Sequence, residues 1–421
     1  MKIKKIQKKI SKTPIDFYDI EVEEFHNFSI GNSNIITHNS SLESGIINMA
    51  QDYLSANNIS LLEPIGGFGT RLSGGKDCSA SRYIYTKLRD ITKAFFMSID
   101  NDILDYKTED NKVVEPYYYA PIIPHVLLNG AEGIGTGWST LIPQYKIEDL
   151  VEYISNKLAN RRKNIELHPH YEGFKGQITY DADTDNYITK GVINRVNMST
   201  VTITELPIGV WNDGYYDFLD DLIDDKVIRT YTKNCTDTDV NIEIKMSRES
   251  LLELSDDDLI SLFQLTSRIS GSNMHLFNRN GKMKKYSNVY DIIDEYFDVR
   301  LEYYDRRKEY LLGELNKKKH WFDNVIRFIN LVIGGKIIIN NKKLEEIKLS
   351  LENHKFHKID GSFSYLLNIS IYKFSKEELD KLNSDYVDLI ARINDLEQKN
   401  SVRLWLDDLI ELKKEVKRFR K

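Results

Sequence analysis

From Val289 to Ile333 the apolar spacing is helical without interruption, and it stops at Gly334-Gly335. At about 1.5 Å per residue such a helix runs roughly 65 Å, and a double glycine is a natural terminator. A second helical run opens at Ser375, where SKEE reads as a capping box with Glu378 at the third helical position. Leu379, Leu382, Tyr386, Leu389, Ile393 and Leu396 then step by three and four. A seam of that period needs a partner helix, and the 289–333 helix is the natural one. The pair is predicted to form an antiparallel two-helix arm with residues 336–374 at its far end.

The rest of the chain fits around this arm. At 421 residues there is room for two or three domains. Residues 15–37 alternate in the strand manner, with Gly31-Asn32-Ser33-Asn34 as a turn before Ile35. Six lysines fall in the first twelve positions. Residues 41–53 read as a helix with Leu42, Ile46, Met49, Ala50 and Tyr53 on one face. PIGGFGTRLSGGKD, from Pro64, is a glycine-rich loop, and SRYIYTKLRDITKAFF, from Ser81, has helical spacing. A second glycine-rich loop, NGAEGIGTGWS, precedes a helix over 147–160, and 175–245 looks like a sheet with one helix near YYDFLDDLID. No apolar run reaches the roughly 18 residues of a membrane span, and no signal-peptide core follows Met1. Cys78 and Cys235 are too few for a disulfide framework, which fits a reducing intracellular compartment. The formal charge of −6 argues against a uniformly basic nucleic-acid binder, yet residues 66–95 gather Arg71, Lys76, Arg82, Lys87, Arg89 and Lys93 against Asp77 and Asp90 alone.

Two places carry chemistry. At His38-Asn39-Ser40 an asparagine side-chain nitrogen can attack its own carbonyl and cut the following bond. A neighbouring histidine can assist that cleavage, and a serine hydroxyl can first accept an acyl group. Upstream lies FYDIEVEEFHNF, with Asp19, His26, Asn27 and Phe28. Residues 1–39 resemble the C-terminal splicing region of inteins, with its YD…HNF block, short strand and closing HN. The resemblance implies the C-terminal half of a split intein. Asn39 would then cyclise, His38 would assist, Ser40 would be the first extein nucleophile, and His26 and Asp19 would tune ester transfer. The lysine-rich start suggests electrostatic pairing with an acidic N-terminal half.

After the seam, SSLESGIINMAQDYL…EPIGGFGTRLSGGKDCSASRYIYTKL, EPYYYAPIIPHVLLNGAEGIGTGWSTLIP, ITELPIGVW and SRISGSNMHLF…GKMKKY resemble type IIA DNA topoisomerases, closer to the eukaryotic and large-virus form. Reversible strand breakage needs a nucleophile whose phosphodiester product keeps the energy of the bond broken. A phenol does this, but its pKa near 10 calls for an adjacent cation. The resemblance assigns Tyr83 as the nucleophile and Arg82 as the transition-state stabiliser. Tyr85 is read as packing. Arg71 and Lys76 are expected on loops that approach the DNA backbone, and Ile142 is expected to wedge between base steps. Two positions depart from the family pattern: Ser81 stands where proline is common, and Gly67 stands where glutamine is usual. Asp237 with Asp239, His168 with His170, and the GAEGIGTG glycines are read as structural, and no metal ligand is assigned in this chain.

Together these readings predict a multidomain α+β chain. Its parts are a small β intein fragment over 1–39, a partial winged-helix cleavage domain over 40–125, a mixed α/β tower over 126–285, and a long antiparallel coiled-coil arm with a helical dimer gate over 286–421. No acidic metal-binding motif and no ATPase motif occur in the sequence. Mg²⁺ and ATP are therefore expected on parts of the enzyme outside this chain. The expected partners are double-stranded DNA, an N-terminal topoisomerase polypeptide carrying the other intein half, and a second copy forming a homodimer; no membrane is expected. The expected setting is intracellular and DNA-associated. An unspliced DNA-binding and dimerisation scaffold, or a protein in which only the Asn39 chemistry matters, are the alternative readings.

Overall fold

A computed structural model describes residues 42–420 except 136 and 162–164. Of the first 41 residues it describes only the backbone of 3–10, 16–22, 28–30, 35–37 and 39–41. In that N-terminal part Ile3–Ile10 pairs antiparallel with Asp16–Val22, and Phe28–Ile30 pairs with Ile35–Thr37. The strand at 3–10 was hidden in the sequence because its isoleucines, Ile3, Ile6 and Ile10, are not spaced by two.

The helices are α1 (Asn39–Ala50), α2 (Asp90–Phe95), α3 (His125–Asn129), α4 (Ile147–Leu158), α5 (Asn212–Asp224), α6 (Arg248–Glu253), α7 (Asp256–Leu262), α8 (Val289–Ile333), α9 (Leu344–Asn353), α10 (Ser364–Leu367), α11 (Lys376–Gln398) and α12 (Ser401–Phe419). One large core joins α2, residues 122–128, α4, the base of α8 and α12. A second core lies under a four-stranded antiparallel sheet ordered 192–197, 200–205, 242–245, 230–233. There Val201, Ile203, Ile242 and Ile244 meet Tyr215 and Leu219 of α5.

The arm forms as the periodicity requires. The helix α8 spans 45 residues, capped by Asn288 at its start and ended at Gly334. Leu315 packs with Leu389, Ile393 and Leu396 of α11. Tyr386 donates to Asp323 at 2.6 Å, while Lys308 reaches the carbonyls of Glu397 and Lys399, so the two helices run antiparallel. Ser375 caps α11 by accepting from the Glu378 amide at 3.4 Å, which is only half of the expected box. The reciprocal box occurs instead at Ser255 and Asp258. At the far end Phe328, Ile329, Ile337, Leu351 and Phe363 make a separate core.

Three expectations change. The first concerns 401–419, which is not part of the arm. Asn400 starts a new helix, and Trp405, Leu409, Leu412 and Val416 enter the main core. The 286–421 span is therefore two packing units, and the 125/126 boundary falls at the start of α3 inside one core. Second, Ser81–Phe96 is not one helix. Ser81–Tyr83 is a single 3₁₀ turn, Tyr85–Leu88 is a strand paired with Leu62–Ile65, and only Asp90–Phe95 is helical. Aromatic and β-branched residues at 84–86 favour the strand once a partner is present. Third, α1 turns a different face inward. Ile47 and Ala50 meet Phe68 and Ile84, whereas Leu42 is 71% exposed and Tyr53 lies beyond the helix end.

Where α8 leaves the main core, charges are buried. Asp100 forms an ion pair with Arg300 at 2.9 Å and accepts from both Nε and Nη2 of Arg307 at 2.7 Å. Arg307 and the Tyr304 hydroxyl also donate to Asp408 of α12. Tyr304 lies 4.4 Å from each guanidinium and stacks on Trp405. A buried, doubly paired network of this kind fixes one geometry, since removing a partner strands a charge away from water.

Candidate functional site

Tyr83 ends the short 3₁₀ turn that follows Ala80, its amide bonded to the Ala80 carbonyl at 2.9 Å. Tyr83 is 66% exposed. The Arg82 guanidinium sits 4.9 Å from its ring centroid, so a cation lies beside the phenol with solvent on the other side. The antiparallel pairing of Ile65 with Tyr85 and Pro64 with Thr86 brings Gly66 against this turn. Gly66 has φ +109, and a Cβ there would stand 3.0 Å from Ile84 and 3.3 Å from the Tyr83 carbonyl. Only glycine lets the loop lie this close without strain. The neighbouring Gly67, the departure from the family glutamine, accepts from the Ser79 amide at 2.8 Å. A Cβ at Gly67 would meet the Ser79 hydroxyl at 2.8 Å, so Gly67 and Ser79 fit as a pair.

The loop is held from within. Asp77 accepts from the Thr70 amide at 2.9 Å and the Thr70 hydroxyl at 2.7 Å, and Gly75 donates to the Thr70 carbonyl at 2.9 Å. Partial burial works to raise the Asp77 carboxyl, but these hydrogen bonds outweigh it and hold the group below its ordinary range. Burial first, and then the Asp77 charge, pushes the Cys78 thiol up.

The basic window resolves into two kinds of residue. Four are neutralised: Arg71 by Glu205 at 2.6 Å, Lys87 by Glu63 at 3.2 Å, Arg89 by Asp52 at 2.8 Å and Lys93 by Asp90 at 3.0 Å. Lys76 and Arg82 carry no ion pair among the described residues, and both are exposed. These two remain as the unpaired cations of the window.

Two site expectations are corrected. Arg71 is 4% exposed and committed to a buried carboxylate, so it does not face a phosphate in this structure. Ile142 is 3% exposed and packed with Leu127, Leu128 and Tyr145, so it cannot wedge between bases. It lies at the base of the hairpin formed by Ala131–Gly135 and Trp138–Ile142, where the chain enters the core. The free isoleucine of this hairpin is Ile134, near the turn and 94% exposed. The readable signal for Ile134 was an aliphatic residue set between Gly133 and Gly135 next to a hairpin turn, where nothing local could bury it. Tyr85, expected to pack, is exposed. It lines an apolar groove of about 300 Å³ beside Tyr83, together with Leu42, Ile46, Phe68 and Ile84.

Asp239 is paired with Lys175 at 2.5 Å, and His168 and His170 face Glu166 and Glu172. Among the described residues no group of three or more His, Cys, Asp or Glu is placed to hold a metal ion. Of the splicing residues, His38 and His26 lie outside the described residues. Asp19 is in the strand opposite Gln7, and Asn39 and Ser40 open α1, but their side chains too are outside the described set.

The fold is that of the DNA-binding and cleavage part of a topoisomerase family. Residues 37–411 match the family built on the A subunit of DNA gyrase/topoisomerase IV, and the chain belongs to that family. Within it the chain is similar to the eukaryotic enzymes. It is 40% identical to DNA topoisomerase 2 of Pisum sativum over 81% of this chain and 24% of that protein. It is 35% identical to DNA topoisomerase 2-beta of Homo sapiens over 86% of this chain and 25% of that protein. The solved DNA-binding, cleavage and re-ligation domain of Plasmodium falciparum topoisomerase II superposes with a TM-score of 0.83 at 35% identity, covering 90% of this chain and 56% of that one. The chain thus spans about a quarter of the length of these full-length relatives.

Proposed function

We propose that this chain supplies the nucleophilic half of the breakage–reunion site of a type IIA topoisomerase. The exposed Tyr83 phenol with Arg82 beside its ring carries this reading. The phenolic oxygen attacks a DNA phosphorus and displaces the 3′ oxygen, which leaves as a free hydroxyl once protonated. The phenol gives up its proton, and the DNA 5′-phosphate stays on Tyr83. Attack by the 3′ hydroxyl on the same phosphorus reverses the step. Arg82 offsets charge on the phenolate and on the phosphoryl oxygens. Lys76 supports the phosphate backbone, and Ile134 takes the wedge role first expected of Ile142.

Mg²⁺ and ATP belong, in this reading, to parts of the enzyme outside this chain. Two copies act together, so that two Tyr83 residues serve the two strands. Exposed Ile371 and Tyr372 at the far end of the arm favour a gate between copies there. The setting is the DNA-containing compartment of a cell, and no described helix is long and apolar enough to cross a membrane.

Residues 1–39 we read as the split-intein half, removed when an N-terminal topoisomerase polypeptide is joined to Ser40. The family match beginning at residue 37 favours this, as does the passage from the 35–37 strand to α1 at the Asn39–Ser40 bond. Co-expression with N-terminal fragments bearing an acidic intein half tests the reading. The expected result is a ligated product that relaxes or decatenates DNA, an activity lost in Tyr83→Phe. Asn39→Ala should abolish release of the tag. DNA binding without ligation to any partner would favour the scaffold alternative instead.

A further inference from the structure

The glycine-rich loop of residues 66–76 is fastened at both ends. Toward Tyr83 it is tied by the Ser79 amide on the Gly67 carbonyl and by the close approach of Gly66 to the turn. Toward the four-stranded sheet it is tied by Arg71. The Glu205 carboxylate at the end of the 200–205 strand accepts from Arg71 Nη2 at 2.6 Å and from the Leu206 amide at 3.0 Å, and its other oxygen accepts from the Lys175 amide at 3.2 Å. Arg71 Nη1 also reaches the Thr238 carbonyl at 3.4 Å. The next carbonyl, of Leu72, accepts from the Asp213 amide at 2.9 Å. Gly74, at φ +64, lies flat against the Trp211 indole, which a Cβ would strike.

We propose that Arg71 and Glu205 are a positioning pair. They lock the loop that carries Lys76, and through it the Tyr83 turn, to the sheet body, and Arg71 contacts no phosphate. The pair is almost entirely out of water, so neither partner can be released without leaving a buried charge unmatched. A guanidinium held through Nη2 by a carboxylate and through Nη1 by a carbonyl also has one orientation, unlike a surface lysine. DNA lying across sheet body and loop would then meet Lys76 and Tyr83 at a fixed separation. The catalytic consequence rests on the Tyr83 reading above; the lock itself does not.

The test uses the full chain and, for catalysis, the ligated enzyme. Hydrogen exchange in Glu205→Gln should quicken at the Gly75 and Ser79 amides by about tenfold or more, while Ile203 and Ile244 in the sheet keep their protection. Should Glu205→Gln misfold, the neutral double variant Arg71→Gln with Glu205→Gln serves in its place. Salt titration of duplex binding should show the slope of log K against log salt lowered by about one in Lys76→Ala and unchanged in the double variant. In the ligated enzyme the double variant should cleave about tenfold more slowly at saturating DNA, with KM for DNA unchanged. Unaltered exchange at Gly75 and Ser79, a slope lowered by about one in the double variant, or wild-type cleavage would each overturn the proposal. A wild-type ligated enzyme that never links to DNA would strike the Tyr83 reading alone, because the exchange and salt measurements still decide the lock.

Discussion

Ile134 stands nearly free at the tip of its hairpin, whereas Ile142 is packed at the base. The two should respond oppositely to truncation. Ile142→Ala should cost about 2–5 kcal/mol of stability, because it opens a cavity in the main core. Ile134→Ala should stay within about 0.5 kcal/mol yet bend duplex DNA less, as read by end-to-end energy transfer. His125 gives a second prediction. Burial lowers its pKa to about 4, among the rings of Phe95 and Phe96. The folded state therefore favours the neutral imidazole relative to an unfolded value near 6.5. Its contribution is fully present above pH 6.5 and is lost as pH falls toward about 4. The urea midpoint of the wild type should fall across that window more steeply than that of His125→Leu. At this scale the sequence set Arg82 next to Tyr83, and the guanidinium does lie 4.9 Å from the ring centroid; the nucleophile role is the proposal made above. Arg71 and Ile142 were misread because burial depends on partners far along the chain: Glu205 for one, Leu127 and Tyr145 for the other.

Among elements, α8 and α11 were readable because long helices write their contact face as a local period. The strand at 85–88 was not, since helical spacing and strand composition overlap there and the arbiter is its pairing with 62–65. The break before α12 was written in Asn400, whose side chain accepts from the Arg403 amide at 2.8 Å. Caps also yield a prediction. Ser255 holds a reciprocated box, whereas Ser375 has a single long bond. Ser255→Ala should therefore quicken exchange of its first-turn amides more than Ser375→Ala does for α11. Losses should be near 1 kcal/mol or above for the former and a few tenths for the latter.

Across the whole molecule, the arm is tied to the main core through Asp100, Arg300, Arg307 and Asp408. Arg307→Ala should destabilise the fold by about 3 kcal/mol, since it leaves Asp100 with Arg300 alone and Asp408 with only the Tyr304 hydroxyl. Arg307→Met combined with Asp408→Leu should recover part of that loss in a thermal melt. This network joins residues about two hundred and one hundred positions apart, which is why no local pattern announced it. It holds the base of α8 against the segment that carries Asp100. The most direct measurement is denaturant trapping of the ligated enzyme on labelled plasmid, followed by mapping of the modified residue. The account predicts a DNA 5′-phosphate on Tyr83 that disappears in Tyr83→Phe. Cleaved plasmid whose adduct maps to another residue, or persists in Tyr83→Phe, would contradict it.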